Sequence, residues 1–345
     1  MIIFRWPIVS PSTRKLPLPS GEFLLPVNPK WAVPEAATNR TRIQAKIQSM
    51  IRWTALITLS AFLVCARAAL AQTPPPPVTL ATPAPPVALS NPAPPVALSN
   101  TEQRTITASK IGRPYDLFIS LPENYSTSKQ SYPVLYVLDG WHFPLMAFLQ
   151  ENNIYSQRMP PVIIVNIGQS PASDAMALRA QDFSPTPIPQ SLGGGGGGAA
   201  AFLDFLEHEL IPFIDHTYRT NPADRGLLGH SMGGKFALYA LEQRPGLFQR
   251  IVAASPALFP DDPLMAGDAR RALGAMHAPV RLDLSVGSDD ELGFTKSITA
   301  FAHVLDELKP KSLDYRFTVY PGENHNSVRL VSLPAGLYWV YRPAR

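Results

Sequence analysis

The strongest constraint on the fold is an alternation of short β-rich runs and helical patterns that begins near residue 101. This alternation predicts a mostly parallel sheet with helices on both faces, and the first strands, which lack intervening helices, predict antiparallel pairing at one edge. We therefore expect one α/β domain over residues 102–345. The predicted strands are 105–108, 115–121, 132–138, 162–167, 225–228, 251–254, 281–286 and 315–320. The predicted helices are 199–213, 233–243, 263–277 and 294–308.

Charge is distributed unevenly along the chain, which has 345 residues, a net charge of +4 and a pI of about 9.1. Residues 1–71 contain nine basic and two acidic side chains, whereas residues 72–345 contain 21 basic and 24 acidic ones, a net charge of −3. Nucleic-acid binding relies on a basic surface field. The larger part of the chain lacks that excess of positive charge, so we predict no nucleic-acid partner.

Residues 50–71 have the pattern of a signal peptide. Arg52 supplies a positive charge, residues 54–64 form an apolar run, and Ala69-Leu70-Ala71 resembles the small-x-small cleavage signal. The apolar run has about eleven residues, whereas a membrane-spanning helix needs roughly twenty. We therefore expect cleavage near Ala71, a periplasmic or secreted protein, and no stable membrane insertion after cleavage. An uncleaved membrane anchor is the alternative.

Two further segments precede the predicted domain. Residues 1–49 show no clear periodicity, and we expect either that translation starts at Met50 or that they form a disordered extension. Residues 72–101 are rich in proline and repeat PAPPVALSN at 83–91 and 92–100. Such a composition favours an extended linker because it cannot bury a core.

No cofactor and no metal site are predicted. The single cysteine, Cys65, excludes an intramolecular disulfide and a Cys-based metal site. Residues Gly193–Gly198 form a run of six glycines, but a phosphate-binding loop also needs Lys and Ser/Thr at a set spacing, which this run lacks. We expect the glycines to form a flexible loop near a site.

The sequence GHSMG at residues 229–233 matches G-x-S-x-G, the pattern of a nucleophile elbow. The predicted strand 225–228 precedes it and the predicted helix 233–243 follows it, as such a turn requires. Its two glycines matter because the sharp turn brings backbone close to them, where a Cβ atom would clash. Ser231 is therefore the candidate nucleophile, and a plain strand-to-helix turn is the alternative.

A serine nucleophile needs a base, and in this pattern the acid and then the histidine follow the serine along the chain. His325 lies in a turn-rich loop directly after the last predicted strand, whereas His277 and His303 lie in or near helical stretches. The orienting acid should follow the preceding strand. Asp290 is the favoured acid and Asp289 the alternative.

The oxyanion of an acyl-transfer intermediate needs backbone N–H donors. The first predicted donor is the amide of Met232, the residue after the nucleophile. The second lies in the loop after the third strand, where Gly140 permits close backbone approach and Trp141 offers an amide. Trp141 is equally suited to form a wall of the acyl pocket.

With these residues the chain resembles the esterase family of the α/β-hydrolase superfamily, in the branch of esterase D and the ferric-siderophore esterases. The resemblance covers about residues 103–343 and rests on the segments YPVLYVLDG, DFSPTP, GLLGHSMGGKFALYAL, VGSDDE and PGENHNSV. It implies an α/β-hydrolase fold with triad roles for Ser231, Asp290 and His325, and it places the oxyanion hole at the amides named above.

Two residues are candidates for substrate binding. Arg179 precedes the DFSPTP segment, and the resemblance implies that it faces the site and binds anionic substrate groups. A surface salt bridge is the alternative for this arginine. His230 is the second candidate, although we expect its side chain to point away from Ser231.

The expected function is that of an exported serine esterase, similar to siderophore esterases, that hydrolyses a small-molecule carboxylic ester through an acyl-enzyme. The alternatives are an acyltransferase of the same fold and a non-catalytic binding domain on a hydrolase scaffold. The sequence leaves the identity of the ester and the oligomeric state open.

Overall fold

A computed structural model describes residues 98–343, apart from 172–173, 189, 191–193, 260–272 and 274–278. The chain divides into two units, residues 1–91 and 92–345, and every described residue belongs to the second. The predicted N-terminal extension, the signal peptide and nearly all of the linker therefore lie outside the described residues. The same holds for the predicted helix 263–277, except for Leu273.

An eight-stranded sheet forms the centre of the second unit. Its strands are β1 (Thr101–Ala108), β2 (Arg113–Ser120), β3 (Tyr132–Leu138), β4 (Ile163–Gln169), β5 (Thr220–His230), β6 (Arg250–Ala254), β7 (Val280–Gly287) and β8 (Leu313–Tyr320). Their spatial order is β1-β2-β4-β3-β5-β6-β7-β8, with antiparallel β1/β2 and β2/β4 pairs and parallel pairs from β4/β3 to β7/β8. The predicted antiparallel N-terminal edge is confirmed.

Helices cover both faces of this sheet. A π-helical segment, Leu206–Leu210, joins the helices Ala199–Phe205 and Ile211–Thr217, and a 3₁₀ turn, Gly140–His142, precedes the helix Phe143–Ser156. None of the helices in the described part of the chain is long and apolar enough to span a bilayer. The described α-helices are α1 (Phe143–Ser156), α2 (Ala175–Phe183), α3 (Ala199–Phe205), α4 (Ile211–Thr217), α5 (Met232–Gln243), α6 (Phe294–Leu308) and α7 (Val328–Val340).

The central strands send alternate side chains into two separate cores. In β3, Val134, Tyr136 and Leu138 belong to the core that α2–α6 cover on one face. Leu135 and Val137 belong to the core that α1 and α7 cover on the other. Because both faces are buried, these strands are apolar almost throughout, and this explains the continuous hydrophobic runs in the sequence.

Candidate active site

Ser231 stands on a sharp turn between β5 and α5. Its backbone has φ +60° and ψ −121°, a conformation that costs a non-glycine residue on the order of 1–3 kcal/mol and persists only where neighbouring structure enforces it. Close packing enforces it here, since a Cβ atom on Gly229 would lie 2.3 Å from the backbone C and O of Gly233. The Ser231 N–H also donates to the Ala254 carbonyl at 3.0 Å. The turn thus presents a half-buried serine at the N-terminus of α5.

His325 and Asp290 lie on neighbouring loops that follow β8 and β7. The His325 Nδ1 atom is 2.9 Å from Asp290 Oδ2, and both side chains are buried. Asp290 Oδ1 accepts a further hydrogen bond from the Leu292 N–H at 3.0 Å. A carboxylate in this position keeps the imidazole proton on Nδ1, which leaves Nε2 able to accept a proton.

The alternative acid, Asp289, has different surroundings. It is exposed, and its Oδ1 accepts a hydrogen bond from the Ser288 hydroxyl at 2.7 Å. The next acid, Glu291, accepts a hydrogen bond from the His325 N–H at 3.2 Å. Hydrogen bonds from its own N–H and from the His325 N–H lower the pKa of the Glu291 carboxyl. The geometry therefore pairs Asp290, and not Asp289, with the His325 imidazole.

The nucleophile turn and the His325 loop meet through His230. The His230 Nε2 atom lies 2.8 Å from the His325 carbonyl O, and the two ring centroids are 4.7 Å apart. Within the described part of the chain, Ser231 Oγ makes no hydrogen bond to the His325 imidazole. Such bonds are often long before substrate binds and shorten in the substrate complex.

His230 itself is buried, with 5% of its surface exposed. Burial, together with the nearby His325, holds the pKa of its imidazole well below the ordinary value of 6.5. The ring is therefore neutral and donates from Nε2. The Nε2 atom of His230 thus makes an internal hydrogen bond to the His325 carbonyl, and the substrate contact of this residue stays a prediction.

The amides predicted for the oxyanion hole lie in adjacent segments. Met232 is the first residue of α5, and N–H groups in the first turn of a helix have no partner inside that helix. The turn Gly140–His142 packs beside this helix start: a Cβ atom on Gly233 would lie 3.5 Å from Asp139 Oδ2, at the beginning of that turn. The two segments that carry the predicted donors are therefore adjacent to each other, and their N–H groups stay the predicted oxyanion hole.

Gly140 and Trp141 have different surroundings within this turn. A Cβ atom on Gly140 would lie 3.0 Å from Gly168 Cα, so a larger residue would push the turn away from β4. The expected close backbone approach at Gly140 is thus made against β4. Trp141 is 43% exposed, which leaves its ring available to a substrate.

Arg179 forms a buried ion pair with Asp139. Its Nε and Nη2 donate to the two carboxylate oxygens at 2.7 and 2.8 Å, and the two side chains are 5% and 0% exposed. Its guanidinium carbon lies 5.1 Å from the Trp141 ring centroid. Asp139 has φ +69°, a strained value for a non-glycine residue. The ion pair of Arg179 is therefore a buried clamp at the start of the turn Gly140–His142, which corrects the alternative of a surface salt bridge. The contact of Arg179 with an anionic substrate stays a prediction.

Residues 108–326 match the family described as "Putative esterase". The chain belongs to this family. It is 26% identical over 263 residues to "Ferri-bacillibactin esterase BesA" of Bacillus subtilis, an alignment that covers 70% of this chain and 90% of that protein. The crystal structure of BES protein from Bacillus cereus has a TM-score of 0.67 at 26% identity, covering 73% of this chain and 100% of that one. An IroE-like serine hydrolase from Shewanella oneidensis has a TM-score of 0.62 at 30% identity, covering 70% and 80%.

Family membership and these similarities make the protein a hydrolase of carboxylic esters with an α/β-hydrolase fold. The predicted fold and the predicted family are both confirmed. In open α/β sheets, functional side chains lie beyond the carboxyl ends of the parallel strands. The elbow, the acid and the histidine all follow such strand ends here.

Two aromatic residues near the esterase's histidine were absent from the predicted site. The Phe294 ring centroid lies 5.5 Å from that of His325, and the Phe259 ring packs against Phe294 at 5.4 Å. Phe259 is 41% exposed, so this pair borders His325 with an apolar surface that reaches solvent. No motif marks either residue, since an aromatic side chain in such a sequence usually belongs to the core.

One group of three potential metal ligands, Asp204, Glu207 and His208, lies among the described residues of the esterase. Arg244 pairs with both carboxylates, at 3.1 and 2.8 Å, so one of their two negative charges is already compensated. The group belongs to α3 and the π-helical segment, outside the loops that carry the candidate site.

The glycine run is more constrained than the flexible loop we predicted. Gly194, Gly195, Gly196 and Gly197 have φ between +71° and +86°, which side chains with a Cβ rarely adopt. The Gly197 N–H donates to the Ser184 carbonyl at 2.9 Å. The described part of the run is therefore tied to the C-terminal end of α2.

Proposed function

We propose that the protein is an exported serine esterase in which Ser231, His325 and Asp290 form the catalytic triad. The observation that supports this most is the 2.9 Å bond between His325 Nδ1 and the buried Asp290 carboxylate, next to a serine in a strained turn. Ser231 is the nucleophile, His325 the general base and Asp290 the group that orients the imidazole.

Acylation follows from this arrangement. Ser231 Oγ forms a bond to the ester carbonyl carbon while its proton passes to His325 Nε2. The carbonyl oxygen becomes an oxyanion that accepts hydrogen bonds from the amides of Met232 and Trp141, with Gly140 keeping the turn close. The C–O bond to the alcohol then breaks, and His325 gives the leaving oxygen its proton.

Deacylation repeats the steps with water. His325 accepts a proton from water as the water oxygen bonds to the acyl carbon, and Ser231 leaves with that proton to release the acid. Asp290 stabilises the imidazolium in both half-reactions, and it holds Nδ1 protonated between them.

The proposed substrate is a small-molecule ester of the siderophore type. The similarity to a ferri-bacillibactin esterase supports this class, and the exposed rings of Trp141 and Phe259 suit a planar acyl group. The signal-peptide pattern of residues 50–71 supports action in the periplasm or outside the cell. N-terminal sequencing of exported protein should give Gln72 as its first residue.

Ser231→Ala tests the mechanism. The variant should lower kcat for p-nitrophenyl acetate by roughly 10³-fold or more, because only binding and the oxyanion hole remain. It should also abolish covalent labelling by a fluorophosphonate. Ser99→Ala, at an exposed position outside the site, is the control and should match the wild type. Near-full activity of Ser231→Ala would refute the mechanism.

A substrate screen tests the substrate class. Catecholate trilactones, feruloyl esters and short acyl esters should be compared by kcat/KM, and the proposal expects the trilactones to be the best substrates. Product analysis with an added alcohol separates hydrolysis from acyl transfer, since a transferase would form the new ester in preference to the free acid.

A further inference from the structure

We infer that His230 is a positioning residue that sets the distance between the His325 imidazole and the Ser231 hydroxyl. This inference rests on the proposed triad. In this role His230, the residue before the nucleophile, acts by positioning the base and not by contacting the substrate.

The His325 loop is held firmly on the side of the acid. The Asp289 N–H donates to the Glu323 carbonyl at 3.0 Å, and the His325 N–H donates to Glu291 at 3.2 Å. The packing is also close, since a Cβ atom on Gly287 would lie 2.1 Å from the Glu323 carbonyl O. The loop and the acid therefore form one unit. The ladder from β5 through β6 to β7 places this unit near the nucleophile, and a second attachment can set the distance between the His325 imidazole and Ser231.

That second attachment is the His230 side chain. Within the described residues, the bond from His230 Nε2 to the His325 carbonyl O at 2.8 Å is the one hydrogen bond that joins the loop to residues 229–233. His230 is adjacent to Ser231, so this bond ties the base to the nucleophile over a very short path. Loss of the bond would let the imidazole drift from Ser231 Oγ while its bond to Asp290 stays intact.

The neutrality of His230 suits this task. Its ring faces His325, and His142 lies with its ring centroid 6.4 Å away. The Arg179 Nη2 atom lies 3.5 Å from the His230 carbonyl, and Arg329 also acts on the ring electrostatically. Burial, and after it the nearby His325, His142 and Arg329, lower the pKa of His230. His230 therefore donates a hydrogen bond without placing a second positive charge beside the imidazolium that His325 becomes during acylation.

An isosteric pair of variants tests the inference. His230→Gln keeps an amide donor at about the reach of Nε2, whereas His230→Met has a similar length and no donor. His230→Met should lower kcat for p-nitrophenyl acetate by roughly 100-fold, the size expected for a reacting group displaced by about 1 Å. KM should change by less than about threefold, since His230 does not touch the substrate. His230→Gln should remain about tenfold or more faster than His230→Met.

Two outcomes would count against the inference or against the proposed triad, and they differ from each other. Equal kcat values for the Gln and Met variants, whether high or low, would overturn the inference, because a role that depends only on shape does not distinguish them. His230→Phe, which keeps a ring and lacks a donor, replaces the Met variant if the latter does not fold. The exposed His303→Gln is the matched control. If the wild type itself neither hydrolyses the ester nor reacts with a fluorophosphonate, the proposed triad fails, and this outcome is distinct from equal Gln and Met variants.

Discussion

Two loops flank Ser231, and different kinds of interaction hold them. The base loop, residues 321–327, is attached by hydrogen bonds to Glu291 and to the neutral His230. The oxyanion turn, Gly140–His142, follows Asp139, which a buried guanidinium clamps at two points. One loop is thus held mainly by hydrogen bonds and the other by an ion pair of full charges.

The difference follows from what each loop must do in the proposed mechanism. The base gains and loses a positive charge in every turnover, and a fixed cation beside it would oppose the charged state. The N–H donors of the oxyanion hole do not change their charge during the reaction. They stabilise the negative charge of the intermediate best when they are held in place before that charge forms. A strong clamp of permanent charges therefore suits the oxyanion turn, and a neutral donor suits the base loop.

The largest effect should come from removing the acid on the base side. Asp290→Asn should lower kcat by roughly 10⁴-fold, because an amide no longer holds the His325 proton on Nδ1. Ester hydrolysis at pH 8 measures the loss. Asp289→Asn is the matched control, since Asp289 is exposed and bonded to the Ser288 hydroxyl. A greater loss in the Asp289 variant would assign the acid to that residue instead.

The next largest effect is a loss of stability when the ion pair that clamps the oxyanion turn is broken. Arg179→Met leaves the Asp139 carboxylate fully buried without its partner. Breaking one side of a buried pair costs about 3–5 kcal/mol, and the urea midpoint of unfolding should fall accordingly. The control is Arg104→Met, an exposed residue whose partner Glu102 is half-buried, and this variant should unfold nearly like the wild type because such a pair near the surface contributes little.

A double variant sharpens this result. Arg179→Met combined with Asp139→Asn removes both charges, and it should recover part of the lost stability because no uncompensated charge remains. Asparagine also tolerates the positive φ of position 139. A double variant no more stable than Arg179→Met would show that the clamp acts through packing rather than charge.

The fold was largely predictable from hydrophobic patterning. Strands such as β3 and β6 were located within one residue because parallel strands buried on both faces are apolar almost throughout. The helices α1, α2 and α7 were absent from the predicted set. In α1, Met146 and Leu149 are buried while Phe148 is 62% exposed, so apolar residues do not mark one face. Tertiary packing decides such a helix, and periodicity does not reveal it.

The candidate site likewise contains residues that the sequence predicts and contacts that it does not. Ser231, Asp290 and His325 could be named from the sequence because each follows a strand whose carboxyl end meets the others at one edge of the sheet. The contacts that hold these residues in place could not be predicted from the sequence. Arg179 is 40 residues from Asp139, and His230 is 95 residues from His325. Pairs so distant depend on loop paths, which carry no periodic signal.

The smallest expected effect is a dependence of stability on pH, which tests whether His230 is neutral in the folded protein. Burial lowers the pKa values of His230 and His142 below the ordinary 6.5. As the pH falls below about 6.5, the unfolded chain takes up protons at these residues while the folded protein does not, so stability must fall. Each such group lowers the free energy of unfolding by up to about 1.4 kcal/mol per pH unit.

Urea unfolding from pH 7.5 to 5.0 should show this decline in stability, and His230→Gln should reduce the slope of the free energy of unfolding against pH. An unchanged slope in that variant would mean that folding does not lower the pKa of His230, and the contrast between a neutral His230 on the base loop and a charged clamp on the oxyanion turn would then be lost.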